Sequence, residues 1–224
     1  LAKSKKRGSR PFPFYLTVLF SSIAFIAKIL PAKTLATVVR YLVRAMAKRF
    51  IAGESISTSH KTLRDLRHSK REATLDQLGE FVVSSKEADE YFEKVLQLIH
   101  GMKQHIPRGQ KNAAGILSAH VSIKVSALGD DFKPQAFDAT YAKVAPRLRR
   151  ILQEAQREEV FINVDAEHYH YRDLVLRIFA KVLLETSELK SYSQVGIVVQ
   201  AYLRDGALHL NDVIELAQKR KILM

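Results

Sequence analysis

VSIKVSAL (residues 121–128), VFINVDAE (160–167) and VGIVVQAY (195–202) decide the fold. Each alternates with the period of two that belongs to a strand. In the first, Val121, Ile123 and Val125 share one face while Ser122, Lys124 and Ser126 share the other. In the second, Val160, Ile162 and Val164 oppose Phe161, Asn163 and Asp165; in the third, Ile197 and Val199 oppose Val198, Gln200 and Tyr202. Lys124, Asp165 and Gln200 thus occupy one kind of face toward the ends of successive strands. Stretches of roughly thirty residues with helical periodicity separate the runs, long enough for the crossovers that parallel strands require. An antiparallel sheet with one wet face would alternate in the same way, but it needs hairpin turns that these stretches lack. The pattern predicts an α/β fold, a partial (β/α)8 TIM-type barrel of about four βα units with its chemistry at the strands' C-terminal ends.

Composition narrows the chemistry. None of the 224 residues is Cys, which excludes disulfides, thiolate catalysis and cysteine-ligated metal centres and suits a cytoplasmic protein. The charge is uneven. Residues 1–72 hold 16 Lys and Arg against 3 Asp and Glu, whereas residues 73–224 hold 20 of each, so the whole excess of +13 sits in the first third. Such asymmetry marks a partner surface, and with no nucleic-acid recognition motif beside it an anionic membrane is the better match than DNA.

Along the chain, residues 1–72 read as a basic helical arm and residues 73–224 as the barrel part. Residues 11–27 carry no charge but include two prolines and are at the short edge of a bilayer span. They are expected to pack on their own domain or lie in a membrane interface. Residues 33–52 form an amphipathic helix with Leu35, Val38, Val39, Leu42, Met46 and Phe50 on its apolar stripe. Residues 54–72 are polar and basic, with ESISTSHKT read as a loop or capping stretch. ATLDQLGE (73–80) is expected to be a short first strand, and helices are expected over 85–102, 137–156, 171–186 and 210–219. His168 and His170, two positions apart with no third ligand in register, read as loop residues rather than a metal pair. No glycine-rich phosphate loop occurs.

LDQLGE (75–80), SIKVSAL (122–128), NVDAE (163–167) and GIVVQAY (196–202) together resemble the proline dehydrogenase family, specifically the flavin domain of the bifunctional bacterial proline utilisation A enzymes. MAKRFIAGESI (46–56) resembles the segment that precedes that domain. The resemblance covers residues 40–224. It implies a distorted (β/α)8 barrel that binds FAD, oxidises L-proline to 1-pyrroline-5-carboxylate and passes electrons to a membrane quinone. By motif, Lys124 helps hold the substrate carboxylate, Asp165 lies at the substrate and flavin site, and Gln200 hydrogen-bonds the isoalloxazine. Glu80 forms a gating ion pair with an arginine. The family's later motifs are missing, so the resemblance implies the N-terminal half of the barrel. It also implies a downstream domain that oxidises the product pyrroline-5-carboxylate (glutamate semialdehyde); the arm's hydrophobic run and basic stripe separately suggest peripheral contact with the inner membrane face.

Two other readings stay open on the residues alone. Lys124, mid-strand in an apolar setting, could be the nucleophile of a Schiff-base barrel enzyme. The basic arm with a degenerate barrel could instead make a non-catalytic membrane-associated protein.

Overall fold

The computed structural model describes residues 21, 31–48, 50–53, 55–78 and 82–222. The chain divides into two compact units, residues 1–52 and 53–224. In the first, helix α1 (Ala32–Ala47) follows Pro31, and its last turn carries Arg44, which complements the negative end of the helix dipole. Nearly all of the uncharged 11–27 run lies outside the described residues. No described helix is long and apolar enough to cross a membrane.

The second unit opens with α2 (Ile56–His68), a helix in a stretch whose polarity suggested a loop. Its start is fixed locally: the Ser55 hydroxyl accepts from the Thr58 N–H while the Thr58 hydroxyl accepts from the Ser55 N–H. This reciprocal box satisfies two of the backbone donors that a helix start leaves orphaned. Leu63 is its buried anchor.

Four parallel strands follow in sequential order: β1 (Leu75–Asp76), β2 (His120–Ile123), β3 (Phe161–Val164) and β4 (Val195–Ile197). Between them lie α3 (Ser85–Met102), α4 (Phe137–Glu158) and α5 (Arg172–Glu185), and α6 (Gly206–Arg220) follows β4. This is the βα succession of a partial TIM-type barrel. Every predicted strand is present but shorter than its alternation suggested. Residues 125–128 coil into a 3-10 turn, and β1 keeps only two of the six candidate residues that are described.

Burial explains the order of layers. Val121, Ile123, Ile162, Val164 and Val195 are fully buried against the helices. The facing helices present apolar residues at spacings of three and four: Tyr91, Val95, Ile99 and Met102 on α3, and Val144, Leu148, Ile151, Leu152 and Ala155 on α4. On the other face the register aligns Asp76, Ser122, Asn163 and Gly196 in one row across all four strands. Near the end of α3, Gly101 lets Ile56 approach so closely that a Cβ there would sit 2.7 Å from its Cγ2. The left-handed Glu159 (φ 55°) stops α4 and turns the chain into β3.

Leu148→Ala is expected to lower the unfolding free energy by about 2–5 kcal/mol, because a fully buried helix residue leaves a cavity against the sheet. Leu210→Ala, at a half-exposed position on α6, should cost well under that. Chemical denaturation of the two variants checks the difference.

Candidate active site

β2 and β3 end side by side, since the Asp165 N–H still donates to the Ile123 carbonyl (2.9 Å). Lys124 and Asp165, two residues beyond Ser122 and Asn163, therefore project from the sheet face that those residues share. The Lys124 ammonium lies 3.1 Å from Asp165 Oδ2 on one side. On the other it donates to both carboxylate oxygens of Asp76, at 3.0 and 2.8 Å. A cation one residue past β2 is thus bracketed by one carboxylate from β1 and one just past β3. Burial alone would push the Lys124 pKa down, but the two carboxylates outweigh it and hold the ammonium above its usual value. A Schiff-base lysine needs the neutral amine, so this environment opposes the nucleophile reading.

The cleft over this cluster measures about 490 Å³ and brings Lys124 together with Gln200, Glu167, Tyr169 and Tyr202. Gln200 lies three residues past the end of β4, in a loop rather than on the strand, and its amide donates to the Tyr202 hydroxyl at 2.9 Å. Asp165 and Gln200 also line one small adjoining void. The structure thus gathers three of the four residues that the sequence singled out. The fourth, Glu80, lies outside the described residues.

Three further residues at the site escaped the sequence reading. Asp76 is the nearer partner of Lys124 and stands in the LDQLGE motif, four positions before Glu80. Glu167 accepts from the Ser126 N–H at 3.0 Å and from the Ser126 hydroxyl. Burial raises its pKa, and the two bonds from Ser126 offset only part of the rise. Asp205 accepts from the Tyr169 hydroxyl (2.9 Å) and pairs with Arg172 (2.8 Å), whose guanidinium lies over the Tyr169 ring. That cluster ties the loop after β3 to the loop after β4. His168 and His170 sit in and beside the 3-10 turn Tyr169–Tyr171. Among the described residues no group of three or more potential ligands is placed to hold a metal ion.

The Glu167 shift has a sign that can be tested. Its folded carboxyl binds a proton more tightly than the ordinary value of 4.5, so its contribution to stability is complete below that value and is lost as pH rises through the folded pKa. Glu167→Gln does not titrate. The unfolding free energy of the parent relative to this variant is expected to fall between acid and neutral pH. A difference that stays flat over that range contradicts the assignment.

Comparisons with known proteins identify the family. The family model described as proline dehydrogenase matches residues 59–224. Proline dehydrogenase 1 of Bacillus subtilis (strain 168) is 28% identical over 183 residues, which are 82% of this chain and 53% of that protein. The bifunctional protein PutA of Escherichia coli (strain K12) is 29% identical over 179 residues, 80% of this chain and 13% of that protein. The crystal structure of proline utilization A from Bdellovibrio bacteriovorus, inactivated by N-propargylglycine, superposes with a TM-score of 0.76 at 32% identity. It covers 84% of this chain and 20% of that one. The chain therefore spans about half the length of the single-function relative and a small part of the bifunctional ones. The matched segment contains the parallel strands, the bracketed lysine and the cleft above it, and by that match the chain belongs to the proline dehydrogenase family.

Proposed function

We propose that this chain contributes the lysine-bearing half of a flavin-dependent L-proline oxidation site. The observation that carries the reading is the placement of Lys124, an ammonium at the C-terminal ends of parallel strands with one side open to a cleft. Active sites of barrels of this type lie at that end. A half-buried ammonium favours an anionic partner, and the carboxylate of an amino acid supplies one. Asp76 and Asp165 keep Lys124 protonated and aimed before the ligand arrives, which lowers the reorganisation needed on binding.

The cofactor in this reading is FAD. The cleft suits a flat heterocycle edged with hydrogen-bonding atoms: Gln200 offers an amide that both donates and accepts, and tyrosine side chains flank it. Gln200 and Asp165 would hold the flavin, which when bound supplies the two-electron acceptor for the amine. The product is 1-pyrroline-5-carboxylate, and the electrons pass to a membrane quinone. The basic arm, residues 1–72, is assigned to peripheral contact with an anionic membrane. Glu80 is assigned to a gating ion pair, and a second domain that oxidises the product is assigned to the remainder of a longer polypeptide.

Anaerobic addition of L-proline to the full-length natural protein is expected to bleach a visible flavin band. A protein without flavin, or a band that proline leaves unchanged, contradicts the reading. Lys124→Met keeps the stem and removes the charge. Flavin binding should survive while kcat/KM for proline falls about ten- to a hundredfold, the loss of one charge-assisted hydrogen bond of about 1.5–3 kcal/mol. An unchanged kcat/KM would leave Lys124 a structural residue. For the arm, a fragment spanning residues 11–50 is expected to bind anionic vesicles more tightly at low salt than at high salt. Binding that ignores salt would assign the arm to packing instead.

A further inference from the structure

Two backbone N–H groups at the end of β2 are held by side chains rather than by a neighbouring strand. The Lys124 N–H donates to the hydroxyl of Tyr91 on α3, at 2.8 Å. The Ser126 N–H donates to Glu167 at 3.0 Å, and the Ser126 hydroxyl bonds the second oxygen of the same carboxylate. Tyr91 is 4% exposed, and burial raises the affinity of both Tyr91 and Glu167 for their protons. The proposed reaction uses neither group. A buried carboxylate is costly unless its bonds return something, and here both bonds go to one residue, two positions from the lysine that lines the same cleft.

The geometry of the turn says what is returned. Up to Ile123 the chain runs as a strand, and at Val125 it coils into the 3-10 turn Val125–Leu128. Lys124 is the residue where the path changes, with extended backbone (φ −103°, ψ 111°). Its side chain must span from β2 to Asp76 on one flank and Asp165 on the other. That reach fixes the residue at one end only, because a four-carbon stem is flexible. The other end is fixed by clamping the backbone on both sides, through Tyr91 at residue 124 and Glu167 at residue 126.

We propose that Glu167 is a positioning residue that acts through Ser126 to hold the Lys124 ammonium between Asp76 and Asp165. Only its kinetic consequence rests on the reading of Lys124 as the substrate anchor; the geometric claim stands apart from it.

The test is amine labelling of the full-length natural protein with a lysine-directed reagent, scored residue by residue by mass spectrometry. Lys86, whose side chain is 87% exposed, serves as internal reference. Released from its carboxylates, Lys124 loses the interactions that keep it charged. Its labelling relative to Lys86 is expected to rise roughly three- to tenfold in Glu167→Ala, since each pKa unit is a factor of ten in neutral amine. Glu167→Gln, whose amide carbonyl still accepts one bond, should restore most of the protection. Ser126→Ala removes the hydroxyl bond alone and should give a smaller rise, which also keeps the test open if Glu167→Ala fails to fold. Unchanged Lys124 labelling in Ser126→Ala and in any folded Glu167 variant, with only the melting temperature lowered, overturns the proposal and makes Glu167 a simple cap of the turn. KM for proline should rise in step with labelling while kcat changes less. Labelling that rises without a change in KM supports the positioning role and counts against the substrate reading of Lys124, so the two failures are distinguishable.

Discussion

The ion cluster at the strand ends sets the terms for the rest of the site. An ammonium flanked by two carboxylates stays protonated although it is largely removed from water, because each pairing offsets part of the cost of burial. The three charged groups sit on or just past the ends of three adjacent strands, so the cluster exists only while the parallel register is correct. A slip of one residue would turn Lys124 toward the helices, where Val121 and Ile123 now lie without solvent contact. The packing of α3, α4 and α5 on the outer face therefore holds the ion cluster of the inner one in place.

Much of this was legible from the order of residues. Alternation placed Lys124 and Asp165 on one face, and sequential parallel strands made them neighbours, so their pairing followed from register. Asp76 was not legible in the same way, because β1 has two paired residues and alternation cannot be read from two positions. Glu167 escaped for a different reason. The alternation of VSIKVSAL continues past the true end of the strand, since Val125, Ala127 and Leu128 stay buried in the 3-10 turn that replaces it. A strand reading to residue 128 hides the place where the backbone needs side-chain acceptors. Gln200 reached the cleft by a loop, which periodicity does not describe. The helix Ile56–His68 was concealed by its polarity, and its one local sign was the serine and threonine three apart at its start.

The charge asymmetry and the fold are separate matters. The barrel part carries equal numbers of acidic and basic residues, and its polar clusters are locally matched. Glu154 on α4, nearly without solvent contact, meets Arg150, Arg157 and His100, which hold its carboxyl below the usual range against the effect of burial. That cluster staples a helix surface and lies apart from the cleft. Perturbed titration is thus a guide to function only beside a cavity.

The contact among Tyr169, Arg172 and Asp205 bears on how the cleft can open. Asp205 receives Tyr169 and Arg172 on one carboxylate oxygen, so the segments after β3 and β4 share a single hub. Displacing either segment strains the bonds that the other makes at that hub. Tyr169 and Leu203 both border the cleft, so the hub stands on its rim. A rim held by one three-residue contact is a mechanical element separate from the ion cluster around Lys124.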